Sequence, residues 1–568
     1  MKRNRALPLL ASVMLLSTAA CAVDDTLSMT SVAPGDRGHQ GGVEVLLANG
    51  NVGTADPMIN YSTGSWALFT ATYDGLTAFT KSGPDVGKHV APDLATEIPK
   101  PTDDGLKWTF TLRSGIRFSD GREVQPNDVK ASFERMFRVH GPTTSSQFNV
   151  IAGAKECLDK PETCDLSAGI AIDEATRRIT FTLLQPDPEF PEQLGQPLAS
   201  ILPADTPPAD VGSDVSKLRA TGPYYWASYD PTDRITLKRN PYFRSWSPLA
   251  APEGYPDQIV EKFGLEPTDQ VTAVINGQAD FATDQPPPDR VNEISVDHPN
   301  QLHLDQIGHV WYWALNTRIP PFDNLKARQA LNYAFDRNSA VLQAGGPGLA
   351  TSTCQVLVPN IPGYRQYCPW TIDPAPNGNG PWRGPDMAKA KQLVAESGTA
   401  GASVSVVPGN NRMHIAMGEY MQTLLTRLGY HATLKPIDEG LQYPFVQNSG
   451  NRVEVALSDW SQDYPAASDF LNVLTSCSAF TPNSDASPNI GGFCDPAIDE
   501  KMAEALRLGN TDPEAANALW ARVDREVTDQ APWVSMYVPK WVNFVSARLG
   551  NYQFSAQFGF LPGVAWLR

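Results

Sequence analysis

The sequence lacks the short patterns by which many enzymes are recognised. None of its 568 residues forms a G-x-x-x-x-G-K-S/T phosphate loop, so the chain is not itself an ATPase of that type. It has no G-x-S-x-G turn to present a serine and no H-E-x-x-H helix to hold zinc. The Gly-rich stretch Asn377-Gly378-Asn379-Gly380-Pro381 lacks a dinucleotide pattern and contains proline, so it reads as a loop. No cofactor is therefore expected. Basic residues are in deficit, 45 Lys and Arg against 62 Asp and Glu, for a formal charge of −17. That balance argues against nucleic acid and anionic lipid as partners. Histidine is scarce and scattered; His303 and His309 are candidates for a metal or haem site, but solvated or core histidines are the commoner reading. There is no fixed-period repeat, and after residue 20 no hydrophobic span follows.

The N-terminus and the cysteines are informative. Lys2, Arg3 and Arg5 precede an uncharged, mostly apolar run from Ala6 to Ala20, which reads as a secretory signal segment over residues 1–20. Thr18-Ala19-Ala20-Cys21 resembles a bacterial lipobox, although Thr18 stands where Leu is usual. Two readings follow: a lipid-modified Cys21 at the mature N-terminus, or an ordinary signal peptide with a cysteine near its end. The first leaves an even set of six cysteines for an oxidising compartment. A lipid anchor and no later span describe a tethered soluble protein at the extracytoplasmic face of the cell membrane. Residues 21–42, small and polar, read as a flexible spacer.

From Val43 onward, strand-like and helix-like segments alternate, which indicates α/β architecture. Val43–Leu47, 106–112, 177–184 and 234–239 read as strands. Residues 125–139 read as a helix with Asn127 as N-cap and Val129, Phe133, Met136 and Phe137 on one face. Segments 325–335, 387–397 and 417–428 read as further helices, the last ended by Gly429. Proline clusters such as Pro286-Pro287-Pro288 fit ordered connections, since aromatic residues run through the whole chain.

Several segments occur in a fixed order along nearly the whole mature chain. Among them are Tyr73-Asp74-Gly75-Leu76, the run Trp108 to Gly121 (WTFTLRSGIRFSDG), Thr221-Gly222-Pro223-Tyr224 and Asn276-Gly277-Gln278-Ala279-Asp280. Pro321-Phe322-Asp323-Asn324, Arg328 to Arg337 (RQALNYAFDR) and Trp460-Ser461-Gln462-Asp463-Tyr464-Pro465 follow. As a set they resemble the dipeptide- and oligopeptide-binding proteins of peptide ABC importers, bacterial extracellular solute-binding protein family 5. The resemblance implies a two-lobed, flytrap-like fold of the periplasmic-binding-protein type with an extra subdomain. The first lobe would comprise residues 43–307 and 532–568, with the subdomain at 71–200, and the second lobe residues 308–531. Segments 310–316 and 532–538, apolar and aromatic, would be the crossovers on which the lobes hinge.

The resemblance also implies a monomeric binding protein, not an enzyme, which delivers peptides to a membrane permease. In it, Asp463 would hold the ligand's α-ammonium group through a charge-assisted hydrogen bond; a turn cap before Pro465 is the alternative. Trp460 and Tyr464 would flank it, with Trp311 a weaker candidate. Trp311 and Tyr312 lie on opposite faces of a strand, so at most one faces the cleft. Asn49, Gly50 and Asn51 follow the first strand, where such folds offer backbone groups to ligands; an ordinary turn is nearly as good a reading. No cation occurs in the four residues before Trp460 (Ala456, Leu457, Ser458, Asp459), so the ligand carboxylate has no assigned partner and peptide length stays open. Six cysteines permit 15 pairings; neighbours are expected to pair as Cys157–Cys164, Cys354–Cys368 and Cys477–Cys494, the last because such a pair recurs in dipeptide-binding relatives. Two alternatives remain: the same fold with a non-peptide cargo (nickel chelate, haem, glutathione or oligosaccharide), or a secreted hydrolase whose catalytic groups are not local in sequence.

Overall fold

Five strands gather around Val43–Leu47 and five around His309–Leu315; one strand joins the two groups, and Leu302–Gln306 pairs with that joining strand. A computed structural model describes residues 38–568 except 143, 145 and 146; Cys21, the signal segment and most of the expected spacer lie outside these residues. Gly38–Gly42, the end of that spacer, are already tied down: Gly41 N donates to Tyr255 O at 2.9 Å and Gly42 N to the Asp257 carboxylate at 3.2 Å.

The main sheet has twelve strands. Its path runs His431–Leu434, Ser403–Val407, Val455–Ser461, His309–Leu315, Trp533–Val545, Phe281–Ala282, Val43–Leu47, Gln258–Lys262, Arg234–Arg239, Tyr224–Asp230. Trp533–Val545 is the joint. Its first residues pair with His309–Leu315 (Trp313 opposite Val534) and its last with Leu302–Gln306 and Phe281–Ala282. The expected crossover at 532–538 is thus the opening part of a 13-residue strand. The second crossover is Leu302–Gln306 followed by His309–Leu315, broken at Ile307-Gly308.

A second sheet, Lys107–Thr111, Arg178–Thr182, Ile170–Asp173, packs with the helix Pro126–Arg138. That helix buries Val129, Phe133, Met136 and Phe137, the face read from its period. Its cap is Gln125, not Asn127: Pro126 occupies the first helical position and Asp128 accepts from the Gln125 backbone, so the helix starts earlier. The 417–428 segment likewise begins early, as Arg412–Arg427, because the Asn411 side chain accepts from His414 N at 2.7 Å. Gly429 follows with φ +97°, a conformation that favours glycine.

One apolar core joins the three-stranded sheet to the strands around Val43–Leu47 and takes in Tyr464. Two others cover opposite faces of the sheet around His309–Leu315, one holding Trp313 and Leu457, the other Tyr312 and Ala456. Three disulfides join Cys157 to Cys164, Cys354 to Cys368 and Cys477 to Cys494, the neighbour pairing expected. Among the described residues no helix is long and apolar enough to cross a membrane.

Candidate functional site

The strand Val455–Ser461 ends beside a cavity of about 390 Å³, near the lower end of the range for small-ligand sites. One wall comes from Tyr61, Ser62, Thr63 and Trp66, at the start of the helix Thr63–Thr72. The others come from Tyr312, Tyr443, the run Ser458 to Asp463, the Leu474–Ile490 region and Gln557. Five aromatic rings line it, with two carboxylates, Asp459 and Asp463; none of the described lining residues is Lys or Arg.

Asp463 is buried, 6% exposed. Its Oδ1 accepts the Tyr61 hydroxyl at 2.5 Å and its Oδ2 the Gln147 amide at 3.0 Å. Both donors are neutral and come from far up the chain. Burial pushes Asp463 up to about 7, against the lowering effect of these two hydrogen bonds. The turn is fixed from below by Asp469, whose Oδ2 accepts Asp463 N at 2.9 Å and Trp460 Nε1 at 3.4 Å. Burial, then the charge of Asp463, hold the Asp469 carboxyl well above the usual range. Between them, Gln462 N donates to Gly308 O at 2.7 Å, at the break between the crossover strands. A side chain at Gly308 has no room: a Cβ would fall 1.7 Å from Gln462 Oε1.

Asp459 sits in different company. Its Oδ1 accepts the Tyr443 hydroxyl, and His309 Nε2 lies 3.1 Å from its Oδ2, an ion-pair contact rather than an aligned hydrogen bond. Burial pushes this carboxyl up, but His309, the Tyr443 hydroxyl and the charge of His414 together hold it below the usual carboxylate range.

Of the residues singled out from sequence, Trp460 and Asp463 line the cavity. Tyr464 does not; it is 3% exposed in the core shared with the three-stranded sheet, its hydroxyl 3.5 Å from Glu189 Oε2. Ser468 donates to the same carboxylate. Desolvation, then the charge of Asp187, push Glu189 up to about 8. Trp311 lies off the cavity, its ring 5.7 Å from His309 and 5.2 Å from His414; Tyr312, on the opposite face, takes the wall. Asn49, Gly50 and Asn51 are also absent from the lining. Asn49 N donates to Asp284 and Asn51 Nδ2 to Pro231 O, so this loop binds its neighbours. His303 stacks on Tyr552 at 3.8 Å, away from His309. Sequence reasoning missed Tyr61, Tyr443, Gln147 and Asp459 as site residues; Asp459 was noted only for not being a cation.

A cavity lined by rings and carrying a carboxyl that lacks a cation, in a sheet whose two groups of strands share one joining strand, fits a two-lobed binding protein. The chain belongs to the bacterial extracellular solute-binding proteins of family 5: the model of their middle region, "Bacterial extracellular solute-binding proteins, family 5 Middle", matches residues 89–482. It is an extracytoplasmic solute-binding protein for ABC import and not an enzyme. Among curated proteins it is 26% identical to the glutathione-binding protein GsiB of Salmonella typhi, over 91% of this chain and 93% of that one. Among solved structures it resembles clavulanic acid biosynthesis oligopeptide binding protein 2, with a TM-score of 0.82 at 23% identity, covering 93% and 96% of the two chains. It also resembles Haemophilus influenzae OppA in complex with RPPGFSPFR, with a TM-score of 0.72 at 19% identity, covering 94% and 100%.

Proposed function

We propose that this protein captures short peptides between two lobes, residues 43–307 with 532–568 and residues 308–531, and delivers them to the permease of an ABC importer. Lipid on Cys21 would hold it at the membrane. The observation that carries the peptide reading is the Asp463 carboxyl, buried at the wall of an aromatic cavity with only neutral donors for partners. A buried carboxyl pushed up to about 7 is short of a positive charge. A peptide's α-ammonium group supplies one, and so sets which end of the ligand enters. Tyr312, Tyr443 and Trp460 offer flat apolar walls that accept varied side chains. About 390 Å³ accommodates two or three residues better than a long peptide.

Structural neighbours with bound peptides support the same class; Helicobacter pylori DppA is in complex with the peptide STSA. The glutathione-binding relatives bring a γ-glutamyl tripeptide into question. That ligand carries two carboxylates, which meet two more in a cavity whose described lining holds no Lys or Arg. The charge balance disfavours it.

The test is calorimetry on a two-by-two set: parent and Asp463→Ala, each with a dipeptide and its N-acetylated form. The dipeptide should bind the parent at least about 100-fold more tightly than it binds the variant, since removing one partner of a buried charge pair costs several kcal/mol. Acetylated peptide should bind the parent poorly and lose little more in the variant. Full affinity for acetylated peptide would remove Asp463 from the site and return the non-peptide cargoes to first place.

A further inference from the structure

The cavity's other carboxylate is unused by that reading. Asp459 lines the cavity and keeps 21% of its side chain exposed. An ionised carboxylate offers about four acceptor positions. The Tyr443 hydroxyl and the His309 ring occupy two directions. The rest is open to a ligand.

The surroundings keep this group negative without covering it. His309 comes from the neighbouring strand His309–Leu315, Tyr443 from the helix Glu439–Gln447, and His414 from the helix Arg412–Arg427. His414 faces a carboxylate of its own, Glu439, at 3.7 Å. The rings of Tyr312, Tyr443 and Trp460 also line the cavity, among neutral polar and aliphatic residues. Ring faces attract cations and also bed the alkyl stems that carry them.

We propose that Asp459 is a second cation-recognition point, and that the preferred cargo is a short peptide bearing a basic side chain as well as its α-ammonium group. The ligand class rests on the peptide reading above; the charge requirement does not. With its α-ammonium group on Asp463, a ligand with one positive charge leaves Asp459 to the Tyr443 hydroxyl and the His309 ring. A ligand with two satisfies both. An acidic side chain, with the peptide's own carboxylate and the two aspartates, brings four like charges into a space without a lining Lys or Arg among the described residues and is excluded.

The experiment compares Ala-Lys, its neutral analogue Ala-norleucine, Ala-Glu and the diamine cadaverine by calorimetry, on the parent protein and on Asp459→Asn. Asparagine keeps the shape and an acceptor for Tyr443, and a thermal melt confirms folding. Ala-Lys should bind the parent at least tenfold more tightly than Ala-norleucine, with Ala-Glu weakest. In Asp459→Asn the ratio of Ala-Lys to Ala-norleucine affinity should fall to within about threefold. If the parent binds Ala-norleucine as tightly as Ala-Lys, Asp459 takes no cation from the ligand and the inference fails while the peptide reading stands. If no peptide binds but cadaverine does, and loses affinity in Asp459→Asn, the peptide reading fails and the charge inference survives. If neither the peptides nor cadaverine bind, both fall.

Discussion

Asp459 and Asp463 stand four residues apart on one wall of one cavity, yet the fold treats them in opposite ways. Asp459 has histidine rings beside it. They come from segments that pack with its own strand, and with the Tyr443 hydroxyl they hold it below the usual carboxylate range. Asp463 has only neutral partners. Its donors, Tyr61 and Gln147, reach it from 402 and 316 residues away, across the cavity, and leave it pushed up to about 7. In the proposed reading, one end is finished before anything binds and the other is completed by the ligand's α-ammonium group. An anion prepared in advance steers and selects. An anion held back until a cation arrives couples binding to charge, so that closure over the wrong ligand gains little.

Replacing Asp463 by Ala is the strongest way to break that difference, with the loss of at least 100-fold described above, whereas Asp459→Asn should cost only the preference for a basic side chain, about tenfold. Acidity separates the ends next. Because Asp463 is pushed up from near 3.8 to about 7, it must give up its proton before it can pair with an ammonium group. Affinity for a dipeptide should therefore fall about tenfold per unit as pH drops below 7, and fall again above about 8 as the ligand's own α-amino group loses its proton. Titrations across buffers of different ionisation enthalpy should show proton release at pH 6 and net proton uptake at pH 8.

The unliganded protein should show the reverse slope. Between the ordinary carboxylate range and about 7, folded Asp463 holds a proton that the unfolded chain has lost, so this group's contribution to stability falls as pH rises through that window. Asp459, held low, acts with the opposite sign. Its contribution is present above the ordinary carboxylate range and is lost only as pH falls through its lowered value. Thermal melts of Asp463→Asn and Asp459→Asn against pH, each compared with the parent, separate the two slopes.

The smallest effect should come from the hydroxyls. Tyr61→Phe removes a hydrogen bond that lowers Asp463, so the midpoint of the affinity profile should move upward from about 7 by a fraction of a unit to about one unit. Tyr443→Phe should leave that midpoint in place, because its hydroxyl serves Asp459. Equal shifts from both would show that the ends are one electrostatic unit.

What could be read along the chain was what the chain encodes locally. Period-two segments such as 234–239 and the apolar face of 126–138 form the elements their patterns indicate, because each buries one side on a neighbour. Asp463 was legible through its ordered motif. Tyr61, Gln147 and Tyr443 carried no such signal: their contacts with the two carboxylates span 402, 316 and 16 residues. Tyr61 lies in an Asn-Tyr-Ser triplet, a pattern associated with glycosylation and not with ligand binding. Alternation placed Trp311 and Tyr312 on opposite faces but held no information on which face met the cavity. That depended on tertiary packing: the helix carrying His414 covers the Trp311 face of the sheet, and the helix carrying Tyr443 covers the Tyr312 face. Tyr464 read as a cleft residue because an aromatic beside Asp463 suits either a wall or a core; packing with the three-stranded sheet decided for the core.

The joining strand Trp533–Val545 and the chain beyond it fix the order in which the molecule is finished. The Asp280 carboxylate, fully buried, waits for Ser546 and Arg548, 266 and 268 residues later. Glu44, in the first strand to form, takes its backbone donor from Gly563, 519 residues away. A growing chain therefore emerges with carboxylates beside its earliest strands that still lack donors: Asp280 has only Val45 N, and Glu44 waits for Gly563. The first half of the protein cannot become native while the ribosome is still working on the second. Both halves are sealed in the same late event, when the C-terminal residues lie down between them. Shortening the chain by its last twenty-odd residues would undo the beginning of the protein rather than its end.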